Sequence, residues 1–522
     1  MMNTRFIFSL VLFFLCGCPV LMAQKTKSAT PPPNQFEVRA FYIDCRAEVM
    51  TMDAIKALAT DLSKKGINTM LIEWEATFPF DKHATLCNQY AFSAAQVNDL
   101  VAHCAKLGIE IIPLQNCFGH CEYILRHNRY WGLRENSKDP SQVCPLKVRE
   151  AVPIFTEIFR EVAALHPSKY FHIGGDETYL LGSCKECMVV TEKEGKSRLF
   201  VDYVKAMSKI VIDMGKIPVI WADIILKYPE ALAELPRELI FVDWNYGWEP
   251  NRFGNLENLF EAGVKMWGAS SLRSSPDNQY LTQWEKHFNN LTVFIPFARK
   301  AGYTGMIQTS WSTSGTYGFH YDAGHEIINM QPIRQVYPMS GFNVLIDAYC
   351  QAVNSNEPVN GHKFAVDYAK AKYGFNPSQA EILWEYFTMP QEVIRRDSKD
   401  NNGTPIGKVL DDCIAMKAKI DGLAPTQNKE EFAHYGLMLD IRINHLKFKQ
   451  IEGIYQSPSY NRSQAPALIV RMQEIIDQAD VLNQRFFALN HGYLKNGELL
   501  YMNSIRNEKM KALYGWLLNN EK

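Results

Sequence analysis

A chain of 522 residues, 47% hydrophobic and 21% charged, can bury a large core and has the length of two or three domains, which excludes a disordered or fibrous protein. Its formal net charge of -1 provides no field to recruit nucleic acid or an anionic membrane, and neither is expected as a partner. With 12% aromatic residues, the balance suits a neutral, sugar-like ligand.

The chain opens with Met1-Met-Asn-Thr-Arg5, an apolar run from Phe6 to Leu15, and small or polar residues through Ala23 and Gln24. That is the pattern of a secretory signal over 1–23, too short to span a bilayer, and it predicts export to the periplasm or beyond. Leu15-Cys16-Gly17-Cys18 also has the form of a lipoprotein box in which Cys18 is acylated; cleavage near Ala23 ranks above it. A Lys-, Thr-, Ser- and Pro-rich stretch over 24–36 reads as a linker.

From 37 to 358 short β-branched or apolar runs alternate with amphipathic helical segments, the signature of repeated βα units on a parallel sheet. Eight runs stand out: Val38 to Asp44, Thr69 to Trp74, Glu110 to Leu114, Tyr170 to Gly174, Pro218 to Trp221, Leu239 to Asp243, Val264 to Trp267 and Thr304 to Thr309. Helical spacing fills the intervals, as over Met52 to Lys65, Ala94 to Leu107, Lys147 to Leu165 and Arg198 to Met214. Count and length predict an α/β fold, a (β/α)8 barrel, with functional groups at the C-terminal ends of its strands. From 359 to 522 the strand signals fade. Lys363 to Tyr373, Pro377 to Tyr386, Lys408 to Ile420, Glu430 to Tyr455 and Ala465 to Leu489 have helical periodicity, predicting an all-α C-terminal domain that packs on the barrel.

Ten cysteines follow the signal segment, too sparse for a disulfide scaffold. Cys184-Lys-Glu-Cys187 has the spacing of half a zinc site, and Cys144 can approach it in a barrel; buried thiols or a disulfide are the competing readings, and they rank higher.

The sharpest feature is Phe171-His172-Ile173-Gly174-Gly175-Asp176-Glu177, at the end of the fourth run. Adjacent acids on a regular strand face opposite ways, but a Gly pair lets the backbone leave strand geometry, so both carboxylates can reach the barrel mouth. Apolar neighbours would raise one carboxyl and keep it protonated while the other stays ionised, the division of labour that glycoside cleavage requires.

His-x-Gly-Gly-Asp-Glu resembles the signature of glycoside hydrolase family 20. Leu71-Ile-Glu73-Trp-Glu75-Ala-Thr-Phe-Pro79, Phe118-Gly-His120 and the segment from His172 to Gly182 are similar to strand ends of its hexosaminidase D-like subgroup, so the resemblance spans the whole barrel. It implies an exo-acting retaining β-N-acetylhexosaminidase acting on glycans with a terminal β-linked N-acetylhexosamine. In that family the substrate's 2-acetamido oxygen replaces the enzyme nucleophile of the usual two-carboxylate scheme.

Carried over by position, the resemblance makes Glu177 the general acid-base and Asp176 the group that orients the acetamide and stabilises the oxazolinium. It assigns Arg39 to the sugar's outer hydroxyls, and Glu75 and His120 to polar positions beside the reacting groups. Trp221 with Asp223, Trp244 with Tyr246, Trp267 and Trp311 fall at successive strand ends and supply an aromatic box for the acetamide, with Tyr246 as the hydroxyl on its carbonyl. No cofactor and no catalytic metal are expected. The sequence departs from the larger branch of the family at Trp311-Ser-Thr313, where that branch has Trp-x-Glu, and this leaves gluco against galacto preference open. Two other readings remain: a two-carboxylate glycosidase with Glu75 or Asp223 as nucleophile, and a non-catalytic glycan-binding barrel.

Overall fold

The computed structural model describes residues 36–313, 317–320 and 329–520, so the expectations for the signal segment, for Cys18 and for the linker up to residue 35 lie outside the described residues. Among the described residues no helix is long and apolar enough to cross a membrane.

Chain order begins β1 (Val38–Asp44), α1 (Met52–Lys64), β2 (Thr69–Glu73), α2 (Ala94–Lys106), β3 (Glu110–Leu114) and α3 (Glu122–Leu125). A hairpin of β4 (Arg134–Asn136) and β5 (Asp139–Val143) leads to α4 (Val148–Ala164), β6 (Tyr170–His172), α5 (Lys185–Glu194) and α6 (Lys196–Asp213). Then come β7 (Ile217–Trp221), β8 (Ile240–Trp244), α7 (Glu257–Glu261), β9 (Lys265–Arg273), α8 (Trp284–Lys300), β10 (Gly305–Ser310), the small pair β11 (Tyr317–His320) and β12 (Asn329–Pro332), and α9 (Asn343–Asn354).

Eight parallel strands close in the order β1-β10-β9-β8-β7-β6-β3-β2, the expected (β/α)8 barrel. All eight predicted runs became its strands. Inside it, Val38, Ala40, Tyr42, Leu71, Ile112, Tyr170, Val219, Val242, Trp267 and Ile307 form one apolar plug, while outward-facing strand residues join the larger core beneath the helices. Local chemistry starts the helices where they begin. Thr51 accepts the Ala54 N–H at the head of α1, and Ser93 with Gln96 makes a reciprocal cap on α2.

The C-terminal region is helical throughout: α10 (Gly361–Tyr373), α11 (Pro377–Thr388), α12 (Ile406–Asp421), α13 (Lys429–Tyr455), α14 (Ala465–Asn490) and α15 (Asn496–Asn520). It packs on the barrel through specific contacts. Lys495 N–H donates to the Val49 carbonyl, Tyr280 stacks on His445 with ring centroids 3.8 Å apart, and Tyr280 Oη donates to the Arg506 carbonyl at 2.7 Å. Helix α15 carries no clean apolar stripe because it buries Glu498, Asn503, Arg506 and Asn507 beside its leucines and methionines.

Candidate active site

The strand β6 ends at His172, and the next five residues build the site. Gly174 and Gly175 have φ of 71° and 91°, a region that side chains with a Cβ rarely enter. A Cβ on Gly174 would also stand 1.9 Å from Asn116 Oδ1. The buried His172 ring accepts the Gly174 N–H through Nδ1 at 3.0 Å, which pins the turn; burial drives its pKa down to about 3, so it stays neutral. Gly119 is required from the other side, since a Cβ there would lie 2.2 Å from the Asp176 carbonyl. Three residues of the mouth, Glu75, His120 and Glu177, hold positive φ of 43°, 53° and 50°, backbone strain gathered where a site is being shaped.

These turns bring Asp176 and Glu177 onto the same cavity. His120 Nε2 sits 3.4 Å from Asp176 Oδ2 and 3.4 Å from Glu177 Oε2. Tyr179 donates its hydroxyl to Glu177 Oε1 at 2.7 Å, and the Glu177 N–H donates to Asp223 Oδ2 at 3.1 Å. The other Asp176 oxygen, Oδ1, is buried and has no hydrogen-bond partner among the described residues.

Charge balance in this cluster differs from the expectation of one carboxyl raised by apolar neighbours. Burial pushes the Glu177 carboxyl up, but the hydrogen bond and charge of His120, with the Tyr179 hydroxyl, outweigh it and hold the group below its ordinary value. Burial pushes His120 down, and the Asp176 charge and both carboxylate hydrogen bonds reverse this, so the imidazole stays protonated well above its usual range. Behind them, burial and then the Asp176 charge lift Asp223 to about 7. Glu122 is lifted to about 7 by burial, and Glu75 well above its ordinary value by burial and the Glu73 charge.

Arg39 is not brought to this mouth. Val38, Ala40 and Tyr42 point into the barrel, so by strand alternation Arg39 points outward, near the N-terminal end of β1. There it donates to the carbonyls of Gly66 and Phe36. From the first βα unit it is Arg46, two residues past the end of β1, that reaches the cavity, where Arg252 and Arg334 also stand. Asp44 grips its guanidinium with both oxygens, at 3.0 and 3.1 Å, Glu73 Oε1 lies 3.8 Å away, and the group sits 5.3 Å from the Trp311 ring centre. Glu73 is itself held by Asn116 Nδ2 at 2.5 Å and by the Tyr42 hydroxyl. Nothing in the local pattern around Arg46 distinguishes it; its position past the strand end is the signal that could have found it.

Trp221, Trp244, Tyr246 and Trp311 line the cavity with His120 and the two acids, as do Tyr179, Trp248, Arg252, Phe253, Ser274, Ser275, Thr313 and Arg334, which sequence reasoning missed. Trp311 Nε1 donates to the Tyr246 hydroxyl at 2.9 Å, fixing two walls together. Trp267 is corrected: it lies inside the barrel, edge-on to Tyr170 with ring centroids 5.0 Å apart, over Gly305, where a Cβ would come within 2.5 Å of its ring. Glu75 and Asp223 are buried beside the cavity without lining it. At about 280 Å³ the space is near the lower limit for small-molecule sites and suits one sugar ring. A broader groove of about 650 Å³ between Trp248 and Gln391 borders it but holds none of the clustered acids. Among the described residues, the group placed to hold a metal ion is Glu135 with Cys144, Cys184 and Cys187, outside this cavity.

Adjacent acids in an aromatic-walled cavity at the C-terminal mouth of a (β/α)8 barrel are the equipment of a glycoside hydrolase. The chain belongs to glycosyl hydrolase family 20, whose catalytic-domain profile matches residues 42–304. It is 29% identical to hexosaminidase D of Bos taurus over 264 residues, 47% of this chain and 76% of the bovine protein. Against hexosaminidase D of Homo sapiens it is 25% identical over 300 residues, 54% of this chain and 61% of the human one. In fold it resembles the crystal structure of a β-N-acetylhexosaminidase from Bacteroides fragilis, with a TM-score of 0.50 at 18% identity, over 64% of this chain and 70% of that one.

Proposed function

We propose that the protein is an exo-acting, retaining β-N-acetylhexosaminidase that removes terminal β-linked GlcNAc or GalNAc from glycans by substrate-assisted catalysis. The observation that carries this reading is Asp176 Oδ1. It is an acceptor in the wall of a sugar-sized cavity, buried and unpaired, and a buried acceptor costs free energy until a donor reaches it. A 2-acetamido N–H is such a donor. Held there, the acetamide oxygen attacks the anomeric carbon, the glycosidic bond breaks, and the leaving oxygen takes its proton from Glu177, which receives it from the protonated His120 beside it. The Asp176 carboxylate stabilises the positive oxazolinium that forms. Glu177 then takes a proton from water as that water opens the ring, with net retention. Trp221, Trp244 and Trp311 wall the acetamide methyl, the Tyr246 hydroxyl meets its carbonyl, and the Arg46 fork binds outer ring hydroxyls.

The two-carboxylate alternative is disfavoured by placement, since Glu75 and Asp223 lie behind the cavity wall and burial pushes both toward the neutral form. Paired nitrophenyl glycosides, with and without the 2-acetamido group, test the mechanism. Turnover confined to the acetamido sugar supports it, and comparable turnover of the plain glucoside sinks it.

A further inference from the structure

Cys184 and Cys187 leave half a metal site in the sequence; folding supplies the other half. Glu135 stands on β4, Cys144 directly follows β5, Cys184 caps α5 and Cys187 lies in its first turn. Cys144 Sγ is 3.6 Å from Cys187 Sγ and 3.9 Å from Cys184 Sγ, and Glu135 Oε2 is 3.4 Å from Cys187 Sγ. All four ligand atoms lie within 4.8 Å of one another. A tetrahedral ion with metal–sulfur bonds of about 2.3 Å spaces its ligands about 3.8 Å apart, and these separations fit it.

Backbone N–H groups orient these ligands. Glu135 Oε1 accepts the N–H groups of Ser183 and Cys184 at 2.8 and 2.9 Å, which aims Oε2 at the sulfurs. Cys187 N–H donates to Cys184 Sγ at 3.3 Å, placing a donor on that sulfur from the helix start. Glu135, Cys144 and Cys187 are buried, so the carboxylate and two of the three sulfurs converge away from solvent.

We propose that Glu135, Cys144, Cys184 and Cys187 bind one tetrahedral, thiophilic divalent cation, zinc by its chemistry, as a structural clamp. Three thiols lose their protons to solvent as the ion enters, and no electrons move. Soft sulfur ligands with one carboxylate exclude calcium and magnesium. The ion would tie the β4–β5 hairpin to the start of α5, directly after the loop carrying Glu177 and Tyr179. That junction is already bridged by the two bonds to Glu135 and by Leu180 N–H, which donates to Gln142 Oε1 at 2.9 Å. This clamp is independent of the sugar chemistry proposed above.

Elemental analysis of the full chain purified without chelator, followed by cobalt(II) titration of the chelated protein, tests it. Stoichiometric zinc is expected, with sulfur-to-cobalt charge-transfer and tetrahedral visible bands that zinc abolishes. Chelation lowers the melting temperature and zinc, not calcium, restores it. Cys184→Ser and Glu135→Gln weaken zinc retention; if either fails to fold, the cobalt spectrum of the unaltered chain still decides. Metal-free protein with no thiolate band, or a disulfide mapped between two of the three cysteines in the protein as isolated, would overturn the proposal.

Discussion

His120 and Glu177 meet at 3.4 Å, an imidazole held protonated against a carboxylate held ionised. The Asp176 charge and the hydrogen bonds to both acids hold the proton on His120, so the proton needed by the leaving group is stored beside Glu177 rather than on it. In the free enzyme the proton leaves only as pH rises through the raised His120 value. Without the imidazole, it rests on Glu177, where burial holds it against the Tyr179 hydroxyl. The alkaline limb of kcat/KM should therefore move to lower pH in His120→Gln. An unchanged limb would show that the pair is not the source of the proton.

Asp176→Asn keeps the shape but removes the charge that meets the developing cation. A fall in kcat on the order of 100- to 1,000-fold is expected, by analogy with removal of one preorganised electrostatic contact, with KM changed far less. Steady-state kinetics on an aryl N-acetylglucosaminide decides it, and a kcat within a few-fold of the parent would remove Asp176 from the mechanism.

The two arginines of the first βα unit should separate cleanly. Arg46→Lys retains a cation for Asp44 but loses the planar fork, so KM should rise about 10- to 150-fold, the scale of one charge-assisted hydrogen bond of roughly 1.5–3 kcal/mol. Arg39→Ala removes bonds to the Gly66 and Phe36 carbonyls outside the barrel and should leave both kinetic constants near the parent values. Equal effects on KM from both variants would contradict their placement.

Trp267 and Trp311 make a similar contrast. Trp267→Ala empties part of the barrel plug and should cost about 3–5 kcal/mol of stability, read by denaturant unfolding. Trp311→Ala removes a cavity wall and should act mainly on KM for acetamido substrates. A binding defect from Trp267→Ala in the remaining folded fraction would place that ring at the site after all.

The eight barrel strands were legible because parallel strands buried on both faces read as short apolar runs, separated by helices of regular spacing. The acid pair was legible too, since only Gly174 and Gly175 permit the turn that follows β6. Three things were not. Arg39 against Arg46 is a question of strand parity, and no residue type marks which face of β1 looks inward. Trp267 and Trp311 are the same side chain near strand ends, and their depth depends on register: Trp267 pairs with Gly305 low in the barrel, whereas Trp311 follows the last residue of β10. Helix α15 buries polar groups against α14 and against barrel loops, as Arg506 does on Asn483 and Gln279, which erases the stripe that would reveal it.

By itself, the sequence determined the (β/α)8 architecture, the helical C-terminal region and the place of the acid pair after the fourth strand, because those follow from periodicity and from two glycines held at positive φ. Only the tertiary structure decided that His120 stands between the two acids, that Arg46 serves the mouth, and that Glu135 joins three distant cysteines. Each of these depends on loops from different strands converging in space, and the distance between two side chains after folding is not encoded in their separation along the chain.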